Sequence, residues 1–395
     1  MRLLQQKLSK YTEPQQAKAA GIYPYFKPIA SEQDTEVVIN GKKVLMFGSN
    51  SYLGLTNHPK VKEAALEMTK KYGTGMAGSR FLNGTLEIHE QLEKRLAKFV
   101  GKDEAIIFST GFQVNLGVIP SLTGKDDYIL WDELNHASIV EGIRLSFSQT
   151  LKFKHNNMES LENRLKSCSP DKVKLIIVDG VFSMEGDVTK LHEIVDLAHK
   201  YNANIYVDEA HSLGVFGKNG QGISHHLGLT QEVDLIMGTF SKSFASIGGF
   251  IATDSVTANW LRHKARTYIF SASPTPAAIG AVNATLDIME SEPERFENLW
   301  KLTEYTLAGF RSAGFEIGHT STPIIPLFIR DNMKTFQITH DLFEEGVFVN
   351  PVVSPAVAPN DTLIRFSLMA TNTHQQVDYA LEKCTKIFKK YGVIA

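Results

Sequence analysis

Short apolar runs alternate with amphipathic stretches through the middle of the chain, and this alternation is its main structural signal. Runs of about four to eight apolar residues predict buried strands, whereas apolar residues spaced three and four apart predict helices. The predicted strands are 105–109, 128–132, 174–181, 205–207, 235–237 and 246–252. Because small or polar residues follow these strands, we expect an α/β fold with a large doubly wound, mostly parallel sheet whose carboxyl edge carries a site.

The two ends of the chain have a different pattern. Two β-rich runs flank Asn40-Gly41, which predicts a hairpin over residues 36–47. Near the other end, the pattern predicts strands at 323–329, 346–350 and 363–369 and helices at 334–345 and 374–391. The expected domains are an N-terminal arm and hairpin (1–48), a large domain (49–284) and a small α+β C-terminal domain (285–395).

Lys242 follows the run 235–237, and its neighbours in sequence are small and hydroxylic residues such as Ser241 and Ser243. A lysine at the mouth of a strand among hydroxyls is suited to an amine that forms a Schiff base and is partly desolvated. A solvated surface lysine is nevertheless the better interpretation of this stretch taken alone. A second stretch changes that balance.

Asp208 ends the β-rich run 205–207, and His211 follows it by three residues. Pyridoxal phosphate (PLP) needs an acidic partner at its ring nitrogen, so that the ring acts as an electron sink, and donors near its phenolic oxygen. Asp208 is suited to the first role and His211 to the second. A carboxylate at a strand end is common in α/β enzymes, but Asp-x-x-His followed by Ser241-Lys242 is much more specific.

Two other strand ends carry residues suited to a phosphate or a planar ring. Gly111 and Phe112 open a helix after strand 105–109, where backbone N–H groups and the helix dipole can hold a phosphate. No Gly-Lys pair is followed by Ser or Thr, so ATP chemistry is not expected. His136 follows strand 128–132, where an imidazole can stack on a cofactor and transfer protons, or serve only as a helix-capping neighbour.

Two further stretches have two interpretations each. The glycine-rich stretch 73–85, which contains Ser79 and Arg80, can approach a ligand closely or form a flexible loop. Arg365 is the charged residue in the apolar strand 363–369. Since an unpaired buried charge is costly, Arg365 either forms an internal salt bridge or binds a substrate carboxylate.

Composition argues against several functional classes. A net charge of −2 over 395 residues argues against a nucleic-acid-binding surface, which needs clustered lysine and arginine. His225 and His226 lack a third ligand at a useful spacing, so a solvated loop pair is favoured and no metal is expected. The two cysteines, and the lack of a long apolar run or a signal sequence, favour a reducing, cytoplasmic setting without a transmembrane helix. A lipidic substrate would be met from the aqueous side, which leaves peripheral membrane contact open.

Eight motifs occur in order along the chain, at residues 50–55, 78–84, 109–112, 135–139, 182–187, 208–214, 239–243 and 363–373. Taken together, they resemble the motifs of the α-oxoamine synthases. These are fold-type I PLP enzymes that condense an amino acid with an acyl-CoA and release CO2. The resemblance extends over essentially the whole chain.

The resemblance implies a role for each matching residue. Lys242 is expected to form the Schiff base, Asp208 to contact the ring nitrogen and His136 to stack on the ring. The residues expected near the phenolic oxygen are Ser183 and His211. Those expected at the phosphate are Gly111, Phe112, Thr239 and Ser241, with Ser273 or Thr275 from the second subunit of a homodimer. Those expected at the amino-acid carboxylate are Asn50, Ser79 and Arg365.

A narrower resemblance rests on the tracts 44–52, 79–84, 144–148 and 266–273. They are similar to tracts of bacterial members that condense L-serine with palmitoyl-CoA to 3-ketodihydrosphingosine, the first step of sphingolipid synthesis. Glycine C-acetyltransferase and 8-amino-7-oxononanoate synthase are the alternatives within the family, since pocket shape decides the amino acid and the acyl chain. Met76, where close relatives often have Cys, and Asn372, where they usually have His, depart from the family pattern.

Two other classes are disfavoured by the same residues. A catalytically silent scaffold or regulatory subunit of this fold has no physical need for Lys242, Asp208, His136 and His211 together. A hydrolase with a nucleophile elbow would need a Gly-x-Ser-x-Gly motif, which the chain lacks.

Overall fold

The structure, a computed structural model, describes residues 2–354, 356–358 and 360–395. The strands in this part of the chain are β1 Glu36–Ile39, β2 Lys42–Met46, β3 Glu104–Phe108, β4 Tyr128–Asp132, β5 Gln149–Phe153, β6 Lys174–Asp179, β7 Asn204–Asp208, β8 Leu235–Thr239, β9 Gly249–Thr253, β10 Ile324–Phe328, β11 Val347–Phe348, β12 Asn350–Val352 and β13 Leu363–Ser367. The helices are α1 Leu3–Leu8, α2 Glu13–Ala19, α3 Pro59–Tyr72, α4 Glu87–Val100, α5 Gly111–Leu122, α6 Ala137–Leu145, α7 Met158–Lys166, α8 Leu191–Tyr201, α9 Ile223–His226, α10 Ser255–Lys264, α11 Arg266–Ile269, α12 Pro276–Ser291, α13 Glu294–Ser312, α14 Asn332–Glu344 and α15 His374–Lys390.

The chain divides into two compact units. One unit is Asn50–Trp300, and the other combines Met1–Ser49 with Lys301–Ala395. The segment 1–48, predicted as an arm and hairpin, therefore belongs to the same unit as the C-terminal residues. The predicted boundary at residue 284 lies inside α12.

The unit Asn50–Trp300 contains a seven-stranded sheet with the order β3-β9-β8-β7-β6-β4-β5. Strand β9 pairs antiparallel with both of its neighbours, and the other pairs are parallel. The large, mostly parallel sheet expected from the alternation of strands and helices is thus confirmed. In such a sheet the residues that follow the parallel strands meet at one edge, where α/β proteins bind their ligands.

Apolar side chains from the sheet and from α5 form the core that positions this edge. Every residue of β6 and β8 is buried, as expected for strands covered on both faces. Val114 and Val118 of α5 are fully buried in one cluster with Ile106 of β3 and Ile177 of β6. This packing fixes the N-terminus of α5 over the ends of the strands.

Two parts of the sheet differ from the sequence prediction. Strand β5 gave no clear apolar run, because Gln149–Phe153 is an edge strand with only Phe153 buried. The strand predicted at 246–252 begins only at Gly249, since Gly248 has a φ of 133° and belongs to the preceding turn. Ile247 extended the apolar pattern into this turn although it is 58% exposed, so the apolar run began before the strand does.

The second unit contains two small sheets, with the orders β1-β2-β11 and β10-β13-β12. The predicted hairpin is confirmed, since β1 pairs antiparallel with β2 across Asn40 and Gly41, whose φ angles of 52° and 74° suit a type I′ turn. Strand β11 then adds to β2 in parallel, which joins the two ends of the chain in one sheet.

A buried ion pair fixes the loop before α4, which the sequence left open as a flexible loop. Arg80 donates to both carboxylate oxygens of Glu93, at 2.7 and 3.1 Å, and the N–H of Ile107 in β3 donates to the same carboxylate at 3.0 Å. The two side chains are only 5% and 7% exposed. The loop that carries Ser79 is thereby attached to the sheet.

Glu93→Ala should lower the free energy of unfolding by about 3–5 kcal/mol, because it leaves the Arg80 guanidinium buried without its counter-charge. Chemical denaturation followed by circular dichroism measures the loss. Glu87→Ala, on the same helix, removes an exposed partner of Lys71 and should leave the unfolding midpoint nearly unchanged. Equal midpoints for the two variants would contradict a structural role for the buried pair.

Candidate active site

Two carboxylates lie side by side at the carboxyl edge of the sheet. Asp179 ends β6 and Asp208 ends β7, and the two residues are directly paired in the register of these parallel strands. Both are buried, at 5% and 3% exposure. Two acidic groups so placed need hydrogen-bond donors or a positive charge nearby, because a buried charge is otherwise costly.

Asp208 receives such donors from two directions. The N–H of Ala210 donates to its Oδ1 at 3.0 Å, and the side-chain amide of Asn115 in α5 donates to its Oδ2 at 2.8 Å. Both bonds stabilise the ionised carboxylate and fix its orientation. Asp208 is therefore a buried carboxyl group held in a fixed orientation at the end of β7.

Asp179 differs from Asp208 in its electrostatics. Burial raises the pKa of Asp179 well above its usual range, and the charge of Asp208 raises it further. The backbone N–H of His136 donates to its Oδ2 at 2.7 Å and acts in the opposite direction. Asp179 thus connects the end of β6 to the residue that begins α6.

His136 caps α6, so the capping interpretation of this residue is structurally correct. Its Nδ1 accepts the N–H of Ser138 at 3.2 Å and lies 2.7 Å from the Ser138 hydroxyl. Desolvation by the surrounding protein lowers the pKa of His136; Asp208 opposes this effect and Lys242 adds to it. Part of the side chain remains exposed at the sheet edge, so capping does not prevent it from contacting a ligand.

His211 contacts Tyr52. Its Nδ1 lies 2.7 Å from the hydroxyl of Tyr52, and that hydroxyl also reaches Oδ1 of Asn50 at 3.5 Å. The Tyr52 hydroxyl thus connects His211 with Asn50, and Asp208 lies three residues before His211 in the sequence. All three predicted site residues belong to the unit Asn50–Trp300. The sequence alone predicted no role for Tyr52.

Lys242 lies in the turn that follows β8, and its side chain is half-buried. Its positive charge lowers the pKa of both His136 and Asp179, although other influences dominate at Asp179. Lys242 is therefore close to both of these groups at the carboxyl edge. The residues around Lys242 in the sequence, taken alone, favoured a solvated surface lysine, whereas the structure shows a half-buried one.

The N-terminus of α5 is packed tightly against the end of β8 and the start of β9. A Cβ added to Gly111 would lie 2.5 Å from the hydroxyl oxygen of Thr239, and one added to Gly249 would lie 2.7 Å from the Cα of Gly111. The hydroxyls of Thr239 and Ser241 are 3.0 Å apart. Backbone N–H groups and hydroxyls thus converge at the start of α5, as an anion site requires.

Two serines with buried hydroxyls, Ser79 and Ser273, both approach Gly84. Ser79 and Ser273 are each 7% exposed, and neither Oγ has a hydrogen-bond partner in the described part of the chain. A Cβ on Gly84 would lie 2.4 Å from the Ser273 Oγ, and the Ser273 N–H donates to Gly78 at 3.0 Å. Thr275 instead caps α12 through the N–H of Ala278. Orphaned polar atoms of this kind indicate a site for a polar ligand.

The remaining predicted residues lie in other environments. Ser183 is in the loop after β6, and Phe112 is 45% exposed at the start of α5. Arg365 lies in the unit formed by 1–49 and 301–395, where it is buried and donates to the Ser367 hydroxyl at 2.6 Å. Asn372 accepts the N–H of Met369 at 2.8 Å, which gives this departure from the family pattern a local structural role.

Sequence reasoning missed several residues that support the site. They are Asp179, Asn115, Ser138 and Tyr206, and each has a recognisable position. Asp179 ends its strand as Asp208 does, and Asn115 lies one helical turn after Gly111. None of these residue types is unusual in its own stretch, so only the neighbouring elements reveal what each one contacts.

An imidazole between two carboxylates supports the loop that carries Ser183. The ring of His155 lies 3.0 Å from Asp132 and 3.3 Å from Asp187, and it packs edge-on against Phe182. Burial alone lowers the pKa of His155, but the hydrogen bonds with the two carboxylates outweigh burial and raise it to about 9. The protonated ring joins the end of β4 to the loop 182–187.

The described residues contain no group of three or more His, Cys, Asp or Glu side chains arranged to hold a metal ion. His225 and His226 end the short helix α9. Within the same described ranges, no helix has both the length and the apolar character needed to span a membrane.

Comparison with known proteins identifies close relatives. The model of the aminotransferase class I and II family matches residues 42–383. A serine palmitoyltransferase from Bacteroides ovatus is 64% identical over 394 residues and is covered completely, as is this chain. An 8-amino-7-oxononanoate synthase from Treponema denticola is 42% identical, with 96% of each chain covered. Among solved structures, a serine palmitoyltransferase variant from S. paucimobilis with a bound PLP–myriocin aldimine has a TM-score of 0.96 and 33% identity, with 100% of both chains covered.

The stability of the protein should fall as pH rises through the titration of His155. Because folding raises its pKa from 6.5 to about 9, the folded state binds this proton more tightly, and the contribution is complete below pH 6.5 and lost above about 9. Denaturant unfolding at several pH values measures the decline.

His155→Asn should be less stable than the parent at pH 6 and show a shallower decline up to pH 9. His199→Asn, which removes an exposed partner of Glu232, is the control and should keep the parental slope. Parallel stability curves for His155→Asn and the parent would contradict the proposed protonated bridge.

Proposed function

The chain belongs to the aminotransferase class I and II family, and we propose that it is a serine C-palmitoyltransferase that uses pyridoxal 5′-phosphate. The resemblance to α-oxoamine synthases is confirmed at the level of the family. The proposed reaction condenses L-serine with palmitoyl-CoA, releases CO2 and CoA, and forms 3-ketodihydrosphingosine. The observation that carries the proposal is the 64% identity to a serine palmitoyltransferase over the full length of both chains.

The residues at the sheet edge fit PLP. The start of α5 offers an anion site at Gly111, where the approach of Thr239 leaves no room for a side chain. Asp208 is a buried carboxylate oriented by two donors, which suits a protonated ring nitrogen. The buried Oγ atoms of Ser79 and Ser273 have no partner among the described residues, and a polar ligand would supply one.

When bound, PLP would supply an electron sink for the negative charge that develops on the α-carbon of the amino acid. Asp208 would hold the ring nitrogen in its protonated form, and Gly111, Phe112, Thr239 and Ser241 would hold the phosphate. Lys242 would hold the cofactor and then move the α-proton of L-serine. Its position near Asp179 and His136 supports this role, because neighbouring titratable groups can adjust the basicity of an amine.

The other predicted residues complete the proposal. His136 would stack on the ring and polarise an oxygen of the acyl group or the carboxylate, and Ser183 and His211 would contact the phenolic oxygen. Asn50, Ser79 and Arg365 would bind the serine carboxylate, with Arg365 chosen because its buried guanidinium suits a carboxylate. A homodimer in which Ser273 or Thr275 reaches the phosphate of the other subunit, and a cytoplasmic location, belong to the same proposal.

A second candidate within the family is 8-amino-7-oxononanoate synthase. The relative from Treponema denticola supports it, since it matches almost the whole chain. Its identity of 42%, against 64% for the serine palmitoyltransferase, makes it the weaker candidate. The two activities use different amino acids and acyl donors, so substrate assays separate them.

Purified, PLP-loaded protein should release CoA thiol from palmitoyl-CoA only when L-serine is present. A thiol reagent follows this release, with glycine and L-alanine as alternative amino acids. Release that depends on glycine or alanine, but not on serine, would assign the chain to another reaction of the family. No release with any of the three would contradict the proposal.

Lys242→Ala should lower turnover by roughly 10²- to 10⁴-fold or more, because general acid–base catalysis alone contributes that much. The same thiol assay measures the effect. Lys218→Ala, which removes an exposed lysine from a neighbouring loop, is the matched control and should retain parental activity. Full activity in Lys242→Ala would end the proposed role of this residue.

A further inference from the structure

A buried chain of hydrogen bonds connects Asp208 with His136. The side-chain amide of Asn115 donates to Asp208 Oδ2 at 2.8 Å and to the Ser138 hydroxyl at 2.9 Å. The amide oxygen of Asn115 lies 2.5 Å from the Tyr206 hydroxyl, and the Ser138 hydroxyl lies 2.7 Å from Nδ1 of His136. Asn115, Ser138 and Tyr206 are at most 2% exposed, so water does not compete for the bonds of the Asn115 amide, whereas His136 at the end of the chain of bonds is partly exposed.

Elementary geometry brings the five side chains together. Tyr206 and Asp208 are two residues apart on β7, so they point to the same face of the sheet. Asn115 on α5 crosses that face and reaches both of them. Ser138 is the second residue of α6, beside the residue that caps it, and so connects Asn115 to His136.

The neighbours of Asn115 determine the orientation of its amide. If the amide were rotated by half a turn, its oxygen would lie against the carboxylate oxygen of Asp208, and two acceptors would face each other. The amide nitrogen must therefore face Asp208 and Ser138. The Tyr206 hydroxyl then has only an acceptor to contact, and it donates to the amide oxygen.

The same reasoning determines the proton on His136. Asn115 uses its second N–H on the Ser138 oxygen, which leaves the Ser138 hydrogen available for Nδ1 of His136. The backbone N–H of Ser138 also points at Nδ1, at 3.2 Å, as the capping bond of α6. Two donors aimed at one ring nitrogen require that this nitrogen carry a lone pair, and the partial positive charge of the helix N-terminus favours the same state.

We propose that Asn115 is a positioning residue which, with Tyr206 and Ser138, holds His136 in the neutral form with its proton on Nε2. Asp208 and His136 are thereby set by one amide group, so the two residues respond together when that amide is removed. For the reaction, this deepens and rests on the proposed function. His136 offers an N–H to a substrate oxygen and cannot serve as a base through Nδ1, which is already occupied.

The tautomer can be observed directly in the PLP-loaded protein without substrate. Histidine labelled with ¹⁵N is incorporated, and a two-bond ¹H–¹⁵N correlation spectrum separates the protonated nitrogen of each ring from the unprotonated one. The signals that disappear in His136→Asn belong to His136. We expect them to show a protonated Nε2 and an unprotonated Nδ1.

Three variants test the chain of bonds. Ser138→Ala and Asn115→Ala should shift His136 toward the Nδ1–H tautomer or the imidazolium. Tyr206→Phe should cause a smaller shift, because it removes only the hydrogen bond to the amide oxygen of Asn115. Asn115→Ala should also lower kcat by roughly 10- to 100-fold with a smaller change in KM for L-serine, the range typical when an outer supporting group is removed. If Asn115→Ala does not fold, Ser138→Ala and Tyr206→Phe still give the spectroscopic result.

Two controls match these variants. Ser121→Ala removes a hydroxyl that donates to Val118 within α5, and Tyr268→Phe removes a hydroxyl from the same apolar cluster that contains Tyr206. Both should keep the parental His136 signals. A parental spectrum with the proton on Nδ1, or with an imidazolium, would overturn the proposal, and so would unchanged signals in both Ser138→Ala and Tyr206→Phe.

The spectrum does not depend on turnover. If serine-dependent thiol release fails while the His136 pattern is as expected, the proposed function is wrong and the positioning role of Asn115 stands. If serine-dependent thiol release is observed but the His136 signals differ from the expected pattern, the proposed function stands and the positioning role of Asn115 is wrong.

Discussion

The constraint on which the site depends is the burial of a carboxylate at the end of a parallel strand. Asp208 loses most of its hydration, so protein donors must replace the lost water. The turn after β7 supplies one donor and α5 supplies the other. Because α5 also carries Gly111 at its start, the helix that stabilises the carboxylate is the same helix at which we propose a phosphate site.

Close backbone packing also fixes the start of α5 against β8 and β9. Thr239 leaves no space for a side chain at position 111, and Gly111 in turn leaves none at position 249. Lys242 follows in the turn after β8. Two acidic groups, Asp179 and Asp208, and one basic group, Lys242, influence one another at this edge. Burial and the electrostatic interactions among these groups shift the pKa values of Asp179 and His136 away from their ordinary range. Shifted pKa values of this kind are characteristic of functional sites.

Much of the fold could be predicted because hydrophobic burial has a regular spacing. Strands such as β4, β6 and β8 are largely continuous apolar runs, and helices α14 and α15 match the predicted limits within two residues. Strand β5 could not be predicted, since an edge strand buries too little to show a pattern. Lys242, Asp208, His136 and His211 could be proposed from the sequence because they recur together after strands in one pattern, although none of them is distinctive alone. Asn115 and Tyr206 could not, since an asparagine in a helix and a tyrosine in a strand are ordinary residues.

The sequence by itself determined the α/β character of the chain, the order of its strands along the chain and the residues that can carry charge at their ends. Only the tertiary structure decided that β9 runs antiparallel, that β2 pairs with β11, and that one amide contacts both Asp208 and Ser138. The physical reason is the range of each interaction. Local preferences and burial leave a trace in neighbouring residues, whereas strand pairing and hydrogen bonds between distant side chains depend on elements that meet only when the chain has folded.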